Sequence, residues 1–348
     1  MAHAPEFIET IVISTRIRLA RNFAAYPFPK KMDDAQAEDI AYLVGEGLKE
    51  FDEFEKYEIA KLDKQQAMRL QERYLISPAL MKSKGGVAFV SSDRNISIMV
   101  NEEDHLREQY IVKGFDLYKA YERISGIDEG LASKYDFAYD EKLGFLTACP
   151  SNLGTGMRAS VMMFLPGLAW NGELKKFLPQ LKAGGLTVRG AFGEGTNAEG
   201  YLYQVSNERT LGMYEREILD TMIRMTMTLC DLEIRAREEM LKTEETELRD
   251  RCLRSYGVLT NCAILTQKEF LSKIADIKLG LTLGFFEPID KKGFDEFSDD
   301  MRPASFRLSN GLEKASERQC DEARAETVCS ALPELVRIAK KRNKKTRK

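Results

Sequence analysis

The sequence predicts an α+β protein: an antiparallel β-sheet flanked by helices, followed by a helical C-terminal region. Three observations carry this. "IVISTRIRL" (11–19) alternates with the period of a half-buried strand. "GGVAFVSSDRNISIMVNEED" and "LTVRGAFGEG…GYLYQVSN" each read as two short apolar runs around a polar or glycine-rich turn. From about Tyr214 the texture changes, and "YEREILDTMIRMTMTLCDLEIRAREEMLKTEETELRDRCLRSYGVL" keeps a helical apolar period among glutamates and arginines.

In chain order, 11–19 is a strand whose alternation aims Arg16 and Arg18 the same way. Residues 33–50 are a helix capped by Asp33 or Asp34, and Val87–Val90 and Ile96–Val100 are strands. "REQYIVKGFDLYKAYERIS" supplies a helix, and "LGFLTACP" is a further strand that runs into the polar loop "CPSNLGTGMRAS" (149–160). "RASVMMFLPGLAW" and "GELKKFLPQLKAG" are helices or a strand–helix passage. "TQKEFLSKIADIKLGLTLGFF" is helical, "DKKGFDEFSDDMRPAS" is a loop, and the basic "RIAKKRNKKTRK" is a frayed, solvated tail. No internal repeat is visible.

Composition excludes several classes. With 52 basic and 55 acidic residues the formal charge is −3, so no global field points at nucleic acid or membrane, and anion binding must come from local clusters. No run of 18 apolar residues is present, and "MAHAPEFIETIVISTR" lacks the pattern of a signal peptide. Six cysteines without a CxxC pair suit reduced thiols in a cytoplasm, and two histidines without HExxH make a zinc site improbable.

Three polar clusters stand out. Arg16 and Arg18, Arg107 of "NEEDHLR", Arg158 of the 149–160 loop and Arg189 of "TVRGAFGEG" sit at strand ends and glycine turns. A lone arginine is ordinarily a surface or ion-paired residue. Five in such places could hold a triphosphate without a P-loop, and no GxxxxGK[ST] occurs. Glu102, Glu103 and Asp104 follow an apolar strand, and Glu194 sits in a glycine turn; they are solvated acids or a grip on a cation. "GEGTNA" fits a relaxed dinucleotide pattern only weakly, since a strand follows it and Glu194 would face a pyrophosphate. Cys149 is either a structural thiol or a reactive one, since cationic neighbours favour a thiolate in general. Together, an arginine ring for phosphates and several anions for an acceptor describe a guanidinium substrate.

In order, "STRIRLARN", "NEEDHLR", "CPSNLGTGMRAS" and "VRGAFGEG" resemble the motifs of the ATP:guanido phosphotransferases, and more closely those of the McsB-type bacterial protein arginine kinases. The likeness covers almost the whole chain. It implies a guanido kinase catalytic domain over 9–238, a helical dimerisation and regulatory domain over 239–336, and a basic tail over 337–348. It further implies transfer of the ATP γ-phosphate, with Mg2+, to arginine residues of proteins, marking them for Clp proteolysis or altering a repressor. A homodimer, an McsA-like activator, a CtsR-like repressor and ClpC are the partners it suggests, in the cytoplasm. A phosphagen kinase acting on free arginine is the alternative, which the early position of Arg16 disfavours.

Carried over by position, the resemblance makes Glu103 and Glu194 the groups that place and deprotonate the guanidinium, with Cys149 touching it as thiolate. Nucleotide contacts fall on Thr15, Arg16, Ile17, Arg18 and Leu19; on Tyr74 and Arg107; on Arg158, Ala159, Ser160, Val161 and Met162; and on Arg189, Gly190, Ala191, Phe192 and Gly193. No protein side chain alone is expected to bind the metal, which arrives on ATP. Two departures are visible. Tyr74 stands where the family places a histidine near the adenine. "CDEARA" replaces the RDxxRA phosphoarginine-docking motif, keeping Asp321 and Arg324 but putting Cys320 in place of the first arginine.

Overall fold

The computed structural model describes residues 8–190 and 199–340. These form two compact units, one of residues 8–190 and 202–234, the other of residues 199–201 and 235–340.

The first unit opens with β1 (Val12–Arg21), then α1 (Asp34–Leu48), β2 (Phe54–Glu58) and α2 (Lys64–Glu72). Strands β3 (Val87–Ser91), β4 (Ile96–Val100) and β5 (Leu106–Lys113) lead into α3 (Leu117–Ala132). Two-residue strands β6 (Tyr139–Asp140) and β7 (Gly144–Phe145) precede β8 (Met157–Phe164), α4 (Pro166–Trp170), α5 (Glu173–Ala183), β9 (Leu186–Gly190) and β10 (Leu202–Asn207). Eight strands form one sheet in the order β2-β3-β4-β5-β1-β8-β10-β9, antiparallel at every pairing.

Local chemistry explains the helix starts. Asp33 and Asp63 cap α1 and α2 in reciprocal boxes with Gln36 and Gln66, and the Asp116 carboxylate accepts from the amide of Lys119 to start α3. On one face of the sheet Ile17, Leu19, Ile98, Val100, Leu106, Ala159, Val161 and Val205 are buried. Helix α3 packs there on β1 and β5, and α1 packs on α3 and β4. The other face is apolar toward β3 and β4, where Ala88, Val90 and Met99 meet Ile59, Leu75, Ile76 and Leu80. It is apolar again at the end of β8 and the start of β10, with Met162, Phe164 and Leu202, and is polar between.

In the second unit α6 (Glu215–Thr243), which begins in the first, is followed by α7 (Glu245–Leu259) and α8 (Gln267–Thr282). Then come β11 (Phe286–Pro288), α9 (Lys291–Asp300), α10 (Pro303–Ser309), α11 (Glu317–Leu335) and β12 (Val336–Ile338). Phe270, Phe286, Phe306, Leu259 and Leu332 are fully buried among these helices. Among the described residues no helix is long and apolar enough to cross a membrane.

Four expectations change. Residues 107–113 belong to strand β5 rather than a helix, because "LREQYIVK" pairs on both edges and the helix starts only at the Asp116 cap. "LGFLTACP" contributes only the Gly144–Phe145 strand. Residues 291–309 form α9 and α10 instead of a loop: Asp290 caps the first, Pro303 opens the second, and Phe294 and Phe306 are buried. The tail begins in order, since Val336–Ile338 pairs with β11 and Arg337 meets Glu287 at 2.7 Å; residues 341–348 lie outside the described residues.

Candidate active site

Register decides which side chains meet. Arg18 of β1 lies opposite Gln109 of β5 and Arg158 of β8, while Ala20 lies opposite Arg107 and Arg16 opposite Ser160. Ser160 in turn faces Ser206 of β10, and Gln204, two residues back, faces Arg189 of β9. Direct cross-strand neighbours share a face, and so do residues two apart. Arg16, Arg18, Arg107, Arg158 and Arg189 therefore all rise from one face, the polar one. Thr15, Ile17, Leu19, Ala159 and Val161 carry the opposite parity, are buried in the helix-covered core, and offer this face no side chain. Ser160 and Met162 lie on the arginine face, and Gly190 ends β9. Ala191, Phe192, Gly193 and Glu194 lie outside the described residues.

The arginines are poorly neutralised. Arg16 donates from Nε to Ser160 Oγ at 3.4 Å, and Arg158 donates to Ser206 Oγ at 2.9 Å. The Nε atoms of Arg18 and Arg158 are buried without a hydrogen-bond partner. Burial, and after it the charge of Arg107, pulls the Arg16 guanidinium down to about 10. Arg18 is also lowered well below the usual arginine range, by burial and then by Arg16, Arg107 and Arg158. Burial and then Arg189 lower Arg158, against the opposing pull of Glu208 and Cys149. Among the described residues only Arg107 has a carboxylate of its own: both Glu102 oxygens accept from Nη1 at 2.8 Å, and Ser77 Oγ donates to the same carboxylate. Ser77 and Glu102 hold this arginine in place, a role the motif alone did not reveal. A cluster of guanidiniums with unused donors is a site awaiting a polyanion.

Beside them is a cavity of about 250 Å3, lined by Arg16, Arg18 and Arg107 together with Tyr74, Ile76, Ser77, Pro78 and Met99. Tyr74 adopts a positive φ of 60°, a conformation unusual outside glycine, and Gln109 Nε2 holds its carbonyl oxygen. One cavity thus has both charged and apolar walls, the latter from Ile76, Pro78 and Met99.

Glu103 and Cys149 lie on two loops. Glu103 is exposed at the tip of the 101–105 turn, whose chain reverses through Asn101 at φ 61°. Cys149 is half-buried on the 146–156 loop, with Sγ 3.1 Å from Ser151 Oγ. Two glycines shape that loop: a Cβ on Gly154 (φ +107°) would stand 2.5 Å from Thr210 O, and one on Gly156 (φ +62°) would stand 2.6 Å from Ala20 O. Thr210 Oγ1 lies 2.7 Å from Leu153 O, and Arg21 donates to Thr155 O at 3.0 Å. Asp104 accepts from the amide of Ala148 at 2.6 Å, joining the two loops directly. Among the described residues no three His, Cys, Asp or Glu side chains form a metal-binding group.

In the second unit Arg324 is 3% exposed and donates to Leu265 O at 2.8 Å and to Asp321 Oδ1 at 2.6 Å, with Cys320 fully buried beside it. The arginine of the "CDEARA" stretch is thereby engaged internally.

Comparison with known proteins agrees with this geometry. Residues 37–236 match the family model of the ATP:guanido phosphotransferase C-terminal catalytic domain, and residues 245–346 match that of the protein-arginine kinase McsB C-terminal domain. A protein-arginine kinase of Caldanaerobacter subterraneus subsp. tengcongensis is 37% identical over 94% of this chain and 98% of its own length. One from Clostridium acetobutylicum is 41% identical over 82% and 85%. Among solved structures, the duplicated taurocyamine kinase of Schistosoma mansoni with bound transition state analog components superposes with a TM-score of 0.63 at 26% identity, over 72% of this chain but only 38% of that duplicated one. A lombricine kinase gives a TM-score of 0.58 at 26% identity, over 67% and 68%. With both of its regions matched and relatives aligned over nearly their full length, the chain belongs to the ATP:guanido phosphotransferase family.

Proposed function

We propose that this protein is a protein arginine kinase, transferring the γ-phosphoryl group of Mg·ATP to the guanidinium of arginine residues in proteins. The observation that carries the reading is the register-fixed set of five arginines on one sheet face, beside two loops that present Glu103 and Cys149. Relatives named protein-arginine kinase, and a C-terminal region of that type, favour a protein acceptor over a small guanidine.

The chemistry follows from the groups present. Arg16, Arg18, Arg107, Arg158 and Arg189 would bind the phosphate oxygens and offset the charge of the transferring group. Mg2+, bound to the nucleotide as part of the substrate, adds to that neutralisation. A guanidinium titrates above about 12 and is a poor nucleophile until it loses a proton. Glu103, assisted by Glu194, would take an N–H proton as the nitrogen lone pair forms the P–N bond and the bond from the γ-phosphorus to the β,γ-bridging oxygen breaks, releasing ADP. Cys149 would hold the acceptor from its other side. Tyr74 would flank the adenine.

The reading extends to regulation as proposals of the same kind. The helical second unit is the place for dimerisation and control in the cytoplasm, with an McsA-like activator, a CtsR-like repressor and ClpC as candidate partners. Phosphoarginine docking at Asp321 and Arg324 requires Arg324 to exchange its bond to Leu265 for one to the ligand.

The test supplies Mg·ATP with either free L-arginine or an unstructured arginine-bearing protein and measures acid-labile phosphate on each. Label on the protein alone is expected. Label on free arginine would return the enzyme to the phosphagen branch, and label on neither, with ATP bound, would indicate a non-catalytic adaptor.

A further inference from the structure

Asn22, directly after β1, is 1% exposed, and its amide bonds to both acceptor-side loops. Its Oδ1 accepts from the backbone N–H of His105 at 2.9 Å. Its Nδ2 donates to Asp104 Oδ1 at 2.6 Å and to Leu146 O at 3.0 Å. The same Asp104 oxygen takes the amide of Ala148 at 2.6 Å. Glu103 is the chain neighbour of Asp104, and Cys149 of Ala148. Both groups therefore sit one residue from a single four-bond junction at Asn22.

The junction has no slack. Asn22 O also accepts from the amide of Ala138 at 2.7 Å, and Ala138 O accepts from the amide of Leu146 at 2.9 Å, a second path into the Cys149 loop. His105, on the other loop, accepts the amide of Phe23 at Nδ1 at 3.0 Å and contacts Pro27 O through Nε2 at 2.8 Å. Only a neutral amide satisfies all three partners of the Asn22 side chain, since it accepts once and donates twice. A carboxylate of the same shape would set an oxygen against both Asp104 Oδ1 and Leu146 O.

We propose that Asn22 is a positioning residue for phosphoryl transfer, fixing the separation between the Glu103 carboxylate and the Cys149 thiol across which the acceptor guanidinium lies. The inference rests on the acceptor-side reading of those two residues and goes beyond it, because Asn22 touches neither nucleotide nor acceptor. Misplacement of a reacting group by about 1 Å is worth roughly 100-fold in rate. Removal of the brace should thus act on kcat and leave nucleotide affinity in place.

The experiment compares Asn22→Asp with wild type, reading kcat, KM for ATP and the nucleotide-induced rise in melting temperature. Asn22→Asp should lower kcat by roughly 10- to 100-fold with KM for ATP within about 2-fold. An unchanged kcat in Asn22→Asp, or a loss that falls equally on ATP binding, overturns the proposal. If Asn22→Asp does not fold, Asn22→Ser takes its place in the kcat-against-KM comparison, and an unchanged kcat there overturns the proposal equally. Glu103→Gln in parallel separates the two levels. Turnover retained in Glu103→Gln refutes the acceptor-side reading itself, whereas an inactive Glu103→Gln beside a normal Asn22→Ser refutes only the role of Asn22.

Discussion

Arg18→Met separates the stability of the free protein from its nucleotide binding, and the two should move in opposite directions. In the free protein Arg18 has a buried Nε without a partner, lies opposite Arg158 and is depressed by three neighbouring arginines. Methionine keeps most of the side-chain length and removes the charge. Relief of an unsatisfied buried donor is worth about 1–3 kcal/mol, and replacing buried ionic groups with apolar ones often stabilises. For a unit of this size that is a rise of roughly 2–10 °C in the melting temperature. With Mg·ATP the sign reverses. Loss of one charge-assisted phosphate contact costs about 3 kcal/mol of transition-state stabilisation, or roughly 100-fold in kcat/KM. Thermal melts with and without nucleotide, paired with the phosphoarginine assay, read both terms. A variant that melts below wild type in the free state would refute the account of Arg18 as uncompensated. One that keeps the full nucleotide-induced shift would remove it from the phosphate site.

Three further outcomes are expected. Cys149→Ser should lower turnover on a protein substrate by roughly 10-fold or more while nucleotide binding persists, and unchanged rates would return Cys149 to a structural role. Glu108, on the core face with both carboxyl oxygens unpartnered, is pushed well above the carboxylate range by burial and then by Asp128, against the pull of Arg21. A raised folded value means stability present below the unfolded pKa of about 4.3 and lost as pH climbs, so Glu108→Gln should gain on wild type between pH 5 and pH 9 in thermal melts. A pH-independent difference would refute that upward shift. His105 is lowered by burial and accepts a backbone amide at Nδ1, so its contribution is complete above the unfolded value of about 6.5 and is lost as pH falls below it. Melting curves at pH 7.5 and pH 5 should show that loss, reduced in His105→Gln; equal losses in both proteins would place the acid sensitivity elsewhere.

Much of the catalytic unit is legible in the sequence because it is built from strands that alternate. "STRIRLAR" writes its two faces in single letters, and the parity that buries Ile17 and Leu19 also points Arg16 and Arg18 outward. The position of Arg107 is less legible. It belongs to "LREQYIVK", whose charges and following helical period mask a strand paired on both edges. Helices α9 and α10 carried start signals at Asp290 and Pro303, but their low apolar density resembles a loop, and only Phe294, Met301, Ala304 and Phe306 reveal a buried side. Glu103 and Cys149 are known by motif rather than by period. The bonds that place them join residues 44 to 124 positions apart, such as Asn22 to Leu146, and no local pattern encodes such partners.

The alternation also explains how a sheet keeps several like charges side by side. Arg16, Arg18, Arg107 and Arg158 repel one another in the free protein, so their own charges do not favour their present register. The opposite face supplies the constraint. A slip of β1 by one residue would drive Arg16 and Arg18 into the core beneath α3 and expose Ile17 and Leu19, each worth roughly 1.5–3 kcal/mol when buried. The irregularity in the β1–β8 pairing lies between Val12 and Ser14, before the first arginine, so the alternation from Ser14 to Arg21 is unbroken. Side-chain burial on one face thus sets the arginine geometry on the other. Substitutions at Ile17 or Leu19 that preserve folding but loosen the strand should therefore weaken nucleotide binding without touching the nucleotide.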